Sequence, residues 1–300
     1  MAIITKLQGG LGNQLFQYAA ARHLSFLKNT PLLLDDQWFK SSHVDVTPRS
    51  LLLRDLAIDG KFISFRDALK RPNRLMRIAQ QYLPINPYRY QEKNEYLFDP
   101  TMSQIKLYSN QDLYVMGYWQ SYKYFQDIQD LLREEIRPNF AMSKTYQAYF
   151  EQISTQANAT MVHIRRGDYV NLHSAAKVHN LLDLTYYEEA MRRIDAQCSH
   201  AQAPHFFVFS DEIAWAQAHL PKHHSITFIE NTESERAVVE ELQLMAACRN
   251  HIIANSSLSW WGAWLCQQPK QQVICPSRWV NREGLSFDDL LPPHWQRIRI

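Results

Sequence analysis

Met161-Val-His-Ile-Arg-Arg-Gly-Asp-Tyr169 is a short apolar run that ends in two cations, a glycine and an acid. The first half reads as a buried strand and the rest as the loop at its carboxyl end. Side chains alternate along a strand, so His163 and Arg165 share one face while Arg166 points to the other. Outward from this stretch, similar apolar runs recur at residues 206–210, 226–229, 252–254 and 273–275. Helical patterns lie between most of them, at 185–197, 212–219 and 233–249. Such alternation predicts a parallel sheet with helices on both faces.

The amino-terminal half repeats the scheme less regularly. An opening strand over residues 1–7 meets the turn Gln8-Gly-Gly-Leu-Gly-Asn-Gln14 and then a helical stripe through Leu15, Phe16, Tyr18, Ala19, His23 and Leu27. A second strand is expected at 31–34, an irregular polar segment at 35–50 and a buried strand at 112–119. Residues 124–137 read as a helix stopped by Pro138, and 143–155 as a helix leading out of the first domain. Residues 61–77 hold six basic side chains against one acid, and read as a basic amphipathic helix, either solvated or touching anionic lipid. The chain thus divides into domains at 1–155 and 156–300, the last residues packing back on the first. Ligands of open α/β domains sit at the carboxyl ends of the strands, here in a cleft between the two.

With 300 residues, 46% hydrophobic and 21% charged, the chain can fill two cores. A net charge of only +2 leaves no whole-molecule field for a polyanion, so nucleic acid is excluded as a partner. Cys198, Cys248, Cys266 and Cys275 are widely spaced in apolar stretches and read as reduced thiols. The opening residues are strand-like without a basic leader, and no apolar run reaches 18 residues, so a cytoplasmic protein is expected.

Three motifs begin where a strand is expected to end. Arg165 and Arg166 suit a diphosphate, because guanidinium forks donate paired hydrogen bonds and remain charged. A leaving nucleoside diphosphate gathers negative charge that either a metal or such cations must stabilise. The sequence contains no Asp-x-Asp, which disfavours the metal route. The plainer alternative is a salt bridge from the arginines to Asp168. In the glycine turn, Gly9, Gly10 and Gly12 with Asn13 form either an anion or hydroxyl site at a helix start or only a capped turn. Asn255, Ser256 and Ser257 open another helix and offer polar groups to donor phosphates or ribose, while Trp260, Trp261 and Trp264 read as core. Asp211 is a helix cap or a nucleotide contact. His173 and His179 have no partner at metal-ligand spacing.

Together the glycine turn, His-Ile-Arg-Arg-Gly-Asp-Tyr, Phe-Ser-Asp and Asn-Ser-Ser-Leu-Ser-Trp-Trp-Gly-Ala-Trp resemble the bacterial α-1,2-fucosyltransferases of glycosyltransferase family 11. The resemblance implies a GT-B fold, two Rossmann-like domains facing each other across a cleft. It implies an inverting, metal-independent transfer of fucose from GDP-fucose to the 2-hydroxyl of a galactose-terminated oligosaccharide or glycolipid, with no cofactor. On this chain Arg165 becomes the β-phosphate ligand, supported by Arg166, with His163 and Asp168 shaping the loop. Asp211, Asn255, Ser256 and Ser257 complete the donor side. Gly10, Gly12, Asn13 and Gln14 fall on the acceptor side of the cleft, and Asp168 or Asn13 would assist loss of the acceptor proton. The loop at 171–183 departs from many relatives, so acceptor contacts there do not transfer. A glycosidase would need paired carboxylates instead. A non-catalytic sugar- or nucleotide-binding protein, or a fucosyltransferase of another linkage, are the alternatives, and peripheral membrane contact through 61–77 is a further option.

Overall fold

The structure, a computed structural model, describes residues 1–41, 47–63, 89–107, 112–167, 182–198, 202–232 and 234–300. Contacts divide the chain into two units, the first running to Arg137 and taking in Asp288–Leu290, the second beginning at Pro138.

In the first unit, strands β1 (Ile3–Lys6), β2 (Leu32–Asp35), β3 (Lys61–Ile63), β4 (Arg89–Gln91) and β5 (Leu113–Met116) form a parallel sheet in the order β3-β2-β1-β5-β4. Helix α1 (Leu11–Lys28) follows β1, and its apolar stripe is buried through Leu15, Phe16, Ala19 and Leu24. Asn29, left-handed at φ 48°, ends it. Short helices α2 (Thr101–Gln104) and α3 (Gln129–Glu135) also belong to this unit.

In the second unit, β6 (Ala159–Ile164), β7 (His205–Ser210), β8 (Ser225–Phe228), β9 (Asn250–Ile252), β10 (Val273–Pro276) and β11 (Gln296–Ile298) run in the order β11-β10-β9-β6-β7-β8, again all parallel. Every residue of β6 is buried, as both faces of an inner parallel strand require. Val162 and Ile164 pack with Tyr186, Ala190 and Ile194 of α5 (Leu184–Gln197). The other helices among the described residues are α4 (Lys144–Thr155), α6 (Ile213–His219), α7 (Ala237–Ala247) and α8 (Ser257–Leu265). Trp260 and Trp261 are fully buried, and Trp260 meets Trp264 and Trp295 at ring distances of 6.0 and 5.6 Å, so the tryptophans are core.

Four expectations change. Residues 61–63 are strand, not the start of a basic helix, and 64–77 lie outside the described residues. Only 129–135 of the expected 124–137 helix is α; two 3-10 turns precede it. Helix α4 belongs to the second unit, because Glu240 on α7 accepts from Ser143 N at 2.5 Å and Glu241 from the Tyr146 hydroxyl at 3.2 Å. Of the last residues, only Asp288–Leu290 join the first unit, where Asp289 accepts from Phe98 N and Lys123 Nζ, while β11 edges the second sheet. Strands β3, β4 and β11 were not foreseen: each is a three-residue edge strand with a charged residue, too short to show an apolar run.

Candidate active site

Parallel register sets the second unit's site. Ile164 pairs with Ser210, so Arg165 and Asp211, each one residue beyond, lie side by side at the carboxyl ends of β6 and β7. Asp211 gathers the first three residues after β6. Its Oδ1 accepts from Arg166 N at 2.9 Å, its Oδ2 from Gly167 N at 3.0 Å, and Oδ2 also pairs with Arg165 Nη1 at 3.1 Å. A Cβ on Gly167 would sit 3.1 Å from that carboxylate, so the close approach favours glycine. Asp211 is therefore not the cap of the following helix; Ser210 Oγ accepts from Glu212 N in the turn instead.

The two arginines differ. Arg166 Nε meets Glu212 at 3.2 Å and its guanidinium lies 3.9 Å from the centre of the Trp215 ring, so it braces the loop. The Arg165 side chain keeps 23% exposure beside Asp211. Behind it, Glu241 is mostly buried, and burial pushes its carboxyl up to about 7 against the opposing pull of the Tyr146 hydrogen bond and the Arg165 charge. His163 is buried, and burial, helped by the Arg165 charge, holds its imidazole down at about 3, hence neutral. Its Nδ1 has no hydrogen-bond partner among the described residues. On the other flank of β6, β9 leads into Asn255, whose buried amide donates to Trp279 O at 3.1 Å. That amide is structural, while Ser256 and Ser257 stay partly exposed at the start of α8. Asp168, His173 and His179 lie outside the described residues.

In the first unit, Gly9 turns the chain at φ +79° and Gly10 precedes α1. Gly12 is buried in the first turn of the helix. Asn13 is partly exposed and accepts from Gln120 Nε2 at 2.8 Å. Gln14 corrects the sequence reading: it is fully buried, its Nε2 donates to Gly9 O and Ser50 O, both at 2.9 Å, and its Oε1 accepts from Leu52 N and Leu53 N. An amide so occupied holds the loop and reaches no ligand. Sequence reasoning missed Gln120, Glu92 and Glu241. The run Gly117-Tyr-Trp-Gln120, directly after a strand, was the available signal for the first.

The sequence profile of the family described as glycosyl transferase family 11 matches residues 58–299. The chain belongs to this family. It is a family 11 glycosyltransferase, 32% identical over 302 residues to an alpha-1,2-colitosyltransferase of Escherichia coli, covering 99% of this chain and 98% of the relative. It is 33% identical to the Escherichia coli O-antigen biosynthesis glycosyltransferase WbnK, covering 94% and 97%. A galactoside 2-alpha-L-fucosyltransferase of Caenorhabditis elegans is 22% identical, covering 96% and 77%. Among solved structures, the fucosyltransferase NodZ from Bradyrhizobium superposes with a TM-score of 0.53 at 12% identity, covering 88% of this chain and 91% of that one. That likeness shows the fold, the GT-B class with two Rossmann-like domains. Among the described residues, no helix of this family 11 chain is long and apolar enough to cross a membrane.

Proposed function

We propose that this glycosyltransferase moves L-fucose from GDP-β-L-fucose to the 2-hydroxyl of a galactose residue, with inversion and without a divalent ion. The observation that carries the reading is Arg165: a partly exposed guanidinium at the carboxyl end of an inner strand, tethered by a carboxylate at 3.1 Å. The acceptor oxygen attacks C1 of the donor sugar, the bond from C1 to the β-phosphate oxygen breaks, and GDP departs with the electron pair. Arg165 offsets the charge that gathers on the phosphate. Asp211 holds that guanidinium, Arg166 braces the loop through Glu212 and Trp215, Asn255 shapes the neighbouring turn, and Ser256 and Ser257 offer hydroxyls to the donor. His163 stays neutral beside them. Asp168 remains the candidate base for the acceptor proton, and Asn13 the acceptor-side residue.

Galactose and the 2-linkage are supported by the sequence likeness to a galactoside 2-alpha-L-fucosyltransferase, and a glycan of the O-antigen kind by the likeness to WbnK. A second reading, colitosyl transfer, is favoured by the relative that bears that name over nearly the whole chain. Colitose is fucose without its 3-hydroxyl. A site built to hydrogen-bond that hydroxyl rejects the deoxy sugar by roughly 10⁴-fold, whereas an apolar pocket rejects the extra hydroxyl only about a hundredfold. GDP release is measured with each GDP-sugar and a panel of galactose-terminated acceptors, after EDTA treatment. Strong preference for GDP-fucose with an α-1,2 product is expected. Faster turnover with GDP-colitose selects the second reading, absence of GDP release with either donor removes both, and full dependence on added Mg²⁺ or Mn²⁺ removes the metal-free mechanism.

A further inference from the structure

The turn after β5 is built more tightly than a connection requires. Glu92, just past β4, accepts from Tyr118 N at 2.6 Å and from Trp119 N at 3.0 Å. Glycine at 117 permits this, because a Cβ there would lie 2.4 Å from Glu92 Cβ. Trp119 sits at φ +55°, a conformation costly for a bulky side chain, and is fully buried between Tyr90 at 6.0 Å and Tyr124 at 5.5 Å. Strain of this kind persists only where the surroundings over-determine it, and it concentrates at functional sites. The next residue is Gln120, whose Nε2 donates to Asn13 Oδ1 at 2.8 Å. Strands β1 and β5 are paired neighbours, which brings this turn beside the glycine turn that opens α1.

We propose that Gln120, fixed by the Glu92-clamped turn, is a positioning residue for acceptor binding: it engages the carbonyl end of the Asn13 carboxamide so that the N–H2 end is presented to a sugar hydroxyl of the acceptor. The inference rests on the reading of Asn13 as the acceptor-side residue. An unanchored carboxamide presents either end by rotating half a turn, and the two ends are opposite in hydrogen-bonding sense. Gln120 removes that ambiguity. A donated hydrogen bond from Asn13 leaves the hydroxyl's own proton free to be lost and orients its oxygen.

Gln120→Glu keeps the size of the side chain but replaces the donor with an acceptor, so Asn13 turns its N–H2 end inward and shows the acceptor a carbonyl. Gln120→Met, similar in length, removes the donor without a charge. Both are made in the wild type and in Asn13→Ala, with acceptor kcat and KM, GDP affinity and thermal midpoint measured for each. In the wild-type background, kcat/KM for the acceptor should fall about tenfold or more in either variant, with GDP affinity within about twofold and an unchanged midpoint. In the Asn13→Ala background neither substitution should add a further loss, since the two residues act as one unit. Losses that multiply across the two backgrounds, or Gln120 variants that match wild type while Asn13→Ala is impaired, overturn the positioning role alone. A neutral Asn13→Ala overturns the acceptor-side reading and the inference with it.

Discussion

Asp211 shows how a single carboxylate organises the start of a loop at a strand end. It accepts two backbone hydrogen bonds and pairs with Arg165, so the loop that carries the guanidinium is fixed by the same group that tethers it. Asp211→Asn keeps one oxygen but loses the charge, and a donor-side rise in KM with a loss of about 1–3 kcal/mol in transition-state stabilisation is expected. Steady-state kinetics at varied donor concentration check this; unchanged donor kinetics would show that the loop holds its shape without the carboxylate. Glu241 and Glu92 carry a second consequence. Burial pushes each up to about 7, against Tyr146 and Arg165 for Glu241, and against two backbone N–H groups for Glu92, with Glu95 adding to the rise. Both bind a proton more tightly in the fold than in the unfolded chain. Their contribution to stability is therefore full below the ordinary value of 4.5 and is lost as pH rises towards about 7, with a slope of at most about 1.4 kcal/mol per pH unit for each group. Urea unfolding between pH 4.5 and 7.5 should show a shallower decline in Glu241→Gln and in Glu92→Gln than in the wild type; parallel curves would mean that these carboxyls titrate normally.

Among the elements, strands with buried faces were legible in the sequence, as was the edge strand β8, whereas the three shortest edge strands were not. Strands β6, β7, β9 and β10 are apolar because neighbours cover them, and their bounds follow the apolar runs within two residues. Strands β3, β4 and β11, three residues each with one charge and at sheet edges, have no such signature. The site follows the same division. Arg165 was readable because it stands at the end of a buried strand, and register then brings Asp211 to it. Gln14 was misread because its sequence position beside Asn13 says nothing about which face of α1 is buried against residues 50–53. Gln120 and Glu92 act through pairings 107 and 26 residues apart, to Asn13 and Tyr118, which no local pattern encodes. Close helix packing offers a test on elements alone. A Cβ on Gly262 in α8 would lie 2.6 Å from Met245 Cβ in α7, so Gly262→Ala must push the helices apart despite its better helix propensity. A loss of about 1–3 kcal/mol in chemical unfolding is expected, and a stabilised variant would mean that the contact relaxes freely.

For the molecule as a whole, two parallel α/β sheets of modest net charge give a frame whose chemistry lies in a few side chains at strand ends. Family membership fixes the reaction class as glycosyl transfer. With the proposed GDP-sugar donor, the charge on the departing diphosphate is the quantity the protein must manage. We propose Arg165 for that task, without a metal. The most direct test is turnover of GDP-fucose by Arg165→Ala and Arg165→Lys in EDTA-treated buffer, with and without added Mg²⁺. Arg165→Ala should lose about 3 kcal/mol or more of transition-state stabilisation, over a hundredfold in kcat, with lysine restoring only part of it and Mg²⁺ none. Near-normal turnover by Arg165→Ala, or recovery on adding Mg²⁺, would contradict the account.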